Sequence, residues 1–272
     1  MTEKVIKEVT LAYKGFPFIE GIVLGGSRAT QTATEHSDID IGIYYDSDRI
    51  DFAELNAVAQ KLDDGHRENL ICREGGWGKW VNCGGWLIMD GLHVDIIMRD
   101  WSRVRRVIGE ADQGKYSCHY QTGHPHAFMD VMYRGELASC RVLYARGSKL
   151  LQVKQQAEIY PPALKKALIE FFLFEAEFSC MLAEKSLDNR DVYYLTGHIF
   201  RSVSAMNQAL FALNEKWLLN EKKAVFRIDT FEIRPDGYSR KIKNIFENAP
   251  KEPALSLREL RELCSEVTAL CS

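Results

Sequence analysis

Short apolar runs dominate the amino-terminal part of the chain, and long helical periods fill the carboxy-terminal part. Phe18-Ile19-Glu20-Gly21-Ile22-Val23-Leu24 and Ile39-Asp40-Ile41-Gly42-Ile43-Tyr44-Tyr45 are rich enough in apolar and β-branched residues to predict buried strands. Phe52 to Leu62 has helical spacing. Trp86-Leu87-Ile88-Met89 and Leu92-His93-Val94-Asp95-Ile96-Ile97-Met98 flank Asp90-Gly91, a dipeptide that tolerates positive φ, so a tight antiparallel hairpin is expected. From Pro161-Pro162 onward the period is helical. Leu164, Leu168, Phe171, Phe172, Glu175 and Phe178 share one face, and Val192, Leu195, Ile199, Val203, Met206, Leu210 and Leu213 follow at steps of three and four. Ser256-Leu257-Arg258-Glu259 reads as a capping box opening a last helix. Residues 111–160 show no clear period. The pattern predicts an α+β protein: a first domain over 1–110 with a mixed β-sheet flanked by helices, a connecting segment over 111–160, and a C-terminal helical bundle over 161–272.

Composition narrows the class. With 272 residues, 46% of them hydrophobic, the chain can bury a core without disulfide or metal staples. Lys+Arg 35 against Asp+Glu 38 leaves a net charge of −3, which removes a general pull toward nucleic acid or anionic lipid; a nucleic-acid partner is not expected. The seven cysteines are odd in number, scattered and never in a C-x-x-C pair, as befits reduced thiols in a cytoplasmic protein. Cys118, His119, His124, His126 and Cys140 match no structural zinc spacing. The amino terminus alternates charged and apolar residues, unlike a signal peptide. The most apolar stretch, 167–182, is broken by Glu170, Glu175 and Glu177, short of the roughly 20 uninterrupted apolar residues of a membrane span.

The chemistry is concentrated between residues 25 and 42. A buried strand that ends in Gly25-Gly26-Ser27 can bring bare backbone N–H groups against a phosphate, because no Cβ blocks the approach, and a following helix would add its positive end. Ser27 can donate to a phosphate oxygen. Asp38 and Asp40, two apart on a strand, project from one face while Ile39, Ile41 and Ile43 enter the core. Two such carboxylates repel unless a cation shares them, and hard oxygen ligands suit Mg²⁺ bridging the phosphates of a nucleotide. In the hairpin, Asp95 shares a face with His93, Ile97 and Arg99 and stands beside the pair if the strands are adjacent. Three carboxylates can hold two ions about 3.5–4 Å apart, which clamp the attacking and leaving oxygens of a phosphoryl displacement.

The sequence Gly25-Gly26-Ser27-Arg28-Ala29-Thr30, then Ser37-Asp38-Ile39-Asp40-Ile41-Gly42, then Asp95 in Val94-Asp95-Ile96-Ile97, resembles the nucleotidyltransferase superfamily with the DNA polymerase beta-like fold. Within it, the chain is most similar in style to bacterial antibiotic-type nucleotidyltransferases and related proteins with a C-terminal helical domain. The resemblance implies an N-terminal nucleotidyltransferase domain, a helical substrate-binding domain, and a transferase that moves a nucleoside monophosphate, AMP from ATP or the equivalent from another nucleoside triphosphate, to a hydroxyl of a small-molecule acceptor with release of pyrophosphate. It implies that Gly25, Gly26, Ser27 and Arg28 bind the triphosphate and that Asp38, Asp40 and Asp95 are catalytic and hold Mg²⁺.

Some roles stay open on the sequence alone. Arg28 either reaches a phosphate or caps the local helix. The base that deprotonates the acceptor is Asp95, or else Glu175 or Glu177 with its pKa raised by apolar neighbours; a solvated carboxylate paired with Lys185 or Arg201 is the plainer reading of the two glutamates. Arg99, Arg103 and Arg106 share one side if the segment is helical. Trp77, Trp80 and Trp86 form an aromatic wall, with core packing as the default. Alternative functions are transfer to a protein or tRNA, as in the antitoxin-like branch, against which the distance from Arg190 to His198 speaks, and non-catalytic nucleotide binding.

Overall fold

The computed structural model describes residues 1–31, 33–35, 37–187 and 191–272, so Arg190 lies outside the described residues. The chain divides into two compact units: one of residues 1–110, 116–123 and 127–159, the other of 111–115, 124–126 and 160–272. The mixed sheet in the first part and the helical carboxy-terminal part are both present.

The first unit runs α1 (Thr2–Tyr13), β1 (Ile19–Leu24), the single turn α2 (Gly26–Ala29), β2 (Ile39–Tyr45), α3 (Phe52–Leu62), β3 (Cys83–Met89), β4 (Leu92–Asp100) and α4 (Trp101–Asp112), then the short pair β5 (Cys118–His119) and β6 (Phe128–Met129), α5 (Met132–Ser139), β7 (Arg141–Ala145) and α6 (Lys149–Glu158). Five strands form one sheet in the order β3-β4-β2-β1-β7. The contact between β2 and β4 is parallel, and the other three are antiparallel. Residues 141–145, which carry no clear period, therefore supply an edge strand of this sheet.

One sheet face is the core. Ile39, Ile41 and Ile43 of β2 and Val94, Ile96 and Met98 of β4 are fully buried there, with Val5, Val9 and Tyr13 of α1 and Leu55 and Ala59 of α3. Each of the isoleucine, valine, leucine and methionine side chains contributes about 1.5–3 kcal/mol of burial, which fixes the side to which Asp40 and Asp95 must point. The Asp90-Gly91 turn forms as expected, with φ of 50° and 73° at its two residues and Met89 opposite Leu92. Arg134 is buried to 1% exposure. It is kept there by donating to the carbonyls of Ile108, Gln156 and Ile159 at 3.0, 2.6 and 2.8 Å.

Asp63 ties α3 to the hairpin. Its carboxylate, with no exposed side-chain surface, accepts from Arg67 Nε at 3.0 Å and Nη2 at 2.6 Å and from the backbone N–H of Ile88 at 2.9 Å. The hydrogen bonds from Arg67 hold its carboxyl well below the usual carboxylate range, against the opposing effect of burial. The folded value lies under the unfolded one, near 4, so this stabilisation is complete above about pH 4 and fades as the pH falls toward the folded value. Asp63→Asn is therefore expected to cost about 2 kcal/mol at neutral pH, and the gap from the parent in urea unfolding should narrow below pH 3. An unchanged gap would remove the ion pair as its source.

The second unit contains α7 (Pro162–Ala183), α8 (Val192–Leu213), α9 (Ala224–Ile228), α10 (Tyr238–Asn248) and α11 (Pro253–Cys271). On α7, Leu164, Leu168, Phe172 and Glu175 are buried, but Phe171 and Phe178 are 41% and 45% exposed. The 100° step per residue carries both rings off the buried stripe. The last helix opens at Pro253, three residues before the Ser256 expected to cap it. Proline at the first helical turn needs no N–H partner, and Ser256 is buried inside the helix, its hydroxyl donating to the Ile245 carbonyl at 2.7 Å. Among the described residues, no helix is long and apolar enough to cross a membrane.

Candidate active site

The glycine turn and the carboxylates come from adjacent strands of the first unit. The chain leaves β1 at Leu24, and Gly25 donates its backbone N–H to the Asp40 carbonyl at 2.8 Å. That bond fastens the turn to β2. Gly26 then adopts φ of 58°, and a Cβ built on it would lie 1.8 Å from Asp40 Oδ2. Only a residue without a side chain permits this backbone to lie against that carboxylate. At Gly25 the same construction meets nothing nearer than Asp40 Cβ at 3.8 Å, so the two glycines differ in how strictly the geometry demands them. Because α2 is a single turn, its dipole adds little; bare N–H groups and Ser27 are what the turn offers an anion.

In the parallel pairing of β2 with β4, Asp40 stands opposite Asp95. Paired residues in a sheet project to the same side, so both carboxylates share the face opposite the core. Asp40 and Asp95 are half-buried; Asp38 is exposed and lies one residue before β2, so only Asp40 of the expected strand pair is on the strand itself. Burial raises the pKa of Asp95; the nearby charge of Asp38 raises it further, and His93 opposes. Repulsion between neighbouring carboxylates is what a divalent cation relieves, and as hard oxygen donors Asp40 and Asp95 are of the type that Mg²⁺ takes. Among the described residues, no group of three or more His, Cys, Asp and Glu side chains forms a ready-made metal cage.

Arg28 is engaged with the protein itself. Its guanidinium donates to the Asp38 carbonyl at 3.0 Å and to the Ser37 carbonyl, bracing the loop that delivers Asp38 to β2. Arg99 does not join a basic helix face, because it belongs to β4 and is buried against Glu136, with Nη2 2.7 Å from Oε1. Arg103 lies over the Trp80 ring, 5.9 Å from its centroid.

The two glutamates of α7 are otherwise placed than a raised-pKa base requires. Glu175 lies 4.0 Å from His126 Nε2 and forms an ion pair with Arg201. His126 first, and then Arg201, lower its pKa despite burial, which weakens it as a proton acceptor. Glu177 is exposed and accepts from Thr268 Oγ1 at 3.1 Å.

The aromatic residues separate into two groups. Trp80 is packed against His119 at 3.8 Å, Phe128 and Tyr133, as core packing predicts. Trp86 is instead 60% exposed, stacked on Trp77 with ring centroids 4.7 Å apart, and opposite Asp95 in the β3-β4 pairing. The signal for this position is in the sequence. A two-residue turn at 90–91 pairs Met89 with Leu92 and, counting outward, Trp86 with Asp95.

Residues 6–71 match the family described as polymerase beta, nucleotidyltransferase, in agreement with the motif. A nucleotidyltransferase-like protein from Exiguobacterium sibiricum superposes with a TM-score of 0.49 at 10% identity, over 100% of this chain and 77% of that one. No curated protein matches the chain significantly.

Proposed function

We propose that this protein, whose residues 6–71 match the polymerase beta nucleotidyltransferase family, transfers a nucleoside monophosphate, AMP from ATP, to a hydroxyl of a small-molecule acceptor, releasing pyrophosphate. The observation that carries this reading is the alignment of Asp40 with Asp95 on adjacent parallel strands, with Gly26 lying against Asp40.

The N–H groups of Gly26 and Ser27, with the Ser27 hydroxyl, hold the departing phosphates at the end of β1. Asp38, Asp40 and Asp95 would bind Mg²⁺, which neutralises phosphate charge and acidifies the attacking hydroxyl when present. Arg28 keeps the strand entrance in register by its bonds to the Ser37 and Asp38 carbonyls. Asp95 stands beside Asp40 on the open sheet face, whereas Glu175 is already paired with Arg201 and near His126, so Asp95 is the better placed of the two to take the acceptor's proton. The new bond joins the acceptor oxygen to the α-phosphorus while the bond from that phosphorus to the bridging oxygen of pyrophosphate breaks.

The test is incubation of the purified protein with Mg²⁺, each common nucleoside triphosphate labelled at the α-phosphorus, and a small-molecule extract. Labelled product of low mass together with pyrophosphate, strongest with ATP, is the expected result. Label that appears on protein or tRNA instead favours the antitoxin-like reading, and the absence of pyrophosphate release with every donor overturns transferase activity.

A further inference from the structure

Four features lie in a row across one sheet face: the glycine turn at the end of β1, Asp40 on β2, Asp95 on β4 and Trp86 on β3. Hydrogen-bonded pairing fixes each step, Gly25 to Asp40 through its N–H, Asp40 to Asp95 and Asp95 to Trp86. With strands about 4.8 Å apart, Trp86 lies about 10 Å beyond Asp40, on the side away from the glycines.

The indole is prepared as a flat surface. Trp77 stacks on Trp86 at an interplanar angle of 25° and lies over Gly84, where a Cβ would come within 2.4 Å of Trp77 Cζ3. Glycine at 84 thus lets the second indole settle against the sheet beside the first. The Trp77 backbone is held at both ends, its N–H donating to the Asn82 carbonyl at 2.9 Å and its carbonyl accepting from Gln121 Nε2 at 2.6 Å. Trp86 nevertheless keeps 60% of its surface exposed. An indole stacked on its neighbour and open to solvent forgoes burial but offers a ligand a second flat face on which to stack.

In-line displacement supplies the direction. The leaving pyrophosphate and the attacking oxygen lie on opposite sides of the phosphorus, so with the phosphates at the glycine turn and the phosphorus over Asp40 and Asp95, the acceptor comes from the β3 side. Resting on the nucleotidyl-transfer reading above, we infer that Trp86, backed by Trp77, is the acceptor platform, and that the acceptor is a hydroxyl-bearing ring with a flat apolar face. A sugar ring and an aromatic ring share that chemistry, and acyclic alcohols lack it.

The experiment uses the full chain and compares the parent, Trp86→Ala and Trp86→Phe. The probes are neutral disaccharides, aminocyclitol glycosides, simple phenols and glycerol, each titrated by calorimetry and then assayed for pyrophosphate release with ATP and Mg²⁺. At least one ring class should bind the parent saturably, and Trp86→Ala should weaken it about tenfold, while Trp86→Phe recovers most of the loss. Affinity for ATP with Mg²⁺ should stay within about twofold in both variants, and circular dichroism should be unchanged, because the side chain is exposed.

Which ring class binds tells a sugar from an aromatic acceptor. Equal binding by parent and Trp86→Ala, glycerol performing as well as the rings, or no saturable ring binding to the parent each overturns the platform. Tryptophan-dependent ring binding without pyrophosphate release sustains the platform and removes the transferase reading, so the two claims fail separately.

Discussion

Asp40→Asn is expected to lower nucleotidyl transfer at least about a thousandfold while leaving the protein folded. The carboxylate is at the centre of the row of groups on the open sheet face, against Gly26 on one side and Asp95 on the other. Under the proposed function, losing its charge would remove a Mg²⁺ ligand, and a thousandfold corresponds to about 4 kcal/mol of transition-state stabilisation, within the range ascribed to metal and preorganised charge. Stability should stay level or rise by up to about 1 kcal/mol, since like charges directly opposite in a sheet are unfavourable. Thermal unfolding measured beside pyrophosphate release checks both halves. A variant that turns over normally contradicts the metal role, and one that is inactive because it is unfolded tests nothing about the ion, which is why the melt belongs in the same experiment.

Gly26→Ala is the second large effect, expected to reduce turnover at least about a hundredfold. A methyl group there would overlap Asp40 Oδ2, and φ of 58° adds strain of about 1 kcal/mol. Either the turn lifts or the carboxylate rotates, and both would spoil the arrangement of phosphate donors and metal ligand that the proposed function requires. Gly25→Ala is the matched control, because its Cβ would make only ordinary contact with Asp40. The separation between the two variants is the informative quantity, read as kcat with saturating triphosphate. Equal loss in both would mean that the turn acts through general flexibility and not through close approach of Gly26.

The glycine-aspartate motif is local, and so it is legible in the chain. Glycines after a buried strand and an aspartate on the next one fall within the short segment from Gly25 to Gly42, and the strand period alone puts Asp40 on the side away from Ile39, Ile41 and Ile43; Asp38 falls one residue before the strand. The hairpin is equally readable, because Asp90-Gly91 both forms the turn and sets the pairing on either side of it. Helix faces are read less well: Phe171 and Phe178 obey helical spacing but miss the buried stripe, and exposure depends on what packs against α7. Glu175 shows the same limit in its chemistry. Apolar neighbours in sequence suggest a raised pKa, whereas His126 and Arg201, both distant along the chain, lower it.

Backbone preferences over a few positions are enough to specify the strand-turn-strand unit, Asp40 on the face away from the isoleucines and the hairpin that carries Asp95. That β2 and β4 run side by side and parallel, in the register that sets Asp40 against Asp95, emerges only from the assembled sheet. Those two aspartates are far apart along the chain, with α3 and β3 between them, and no local preference encodes such a pairing. It is selected by burial of the isoleucines and valine on the opposite face, a one-residue slip of which would turn the carboxylates into the core.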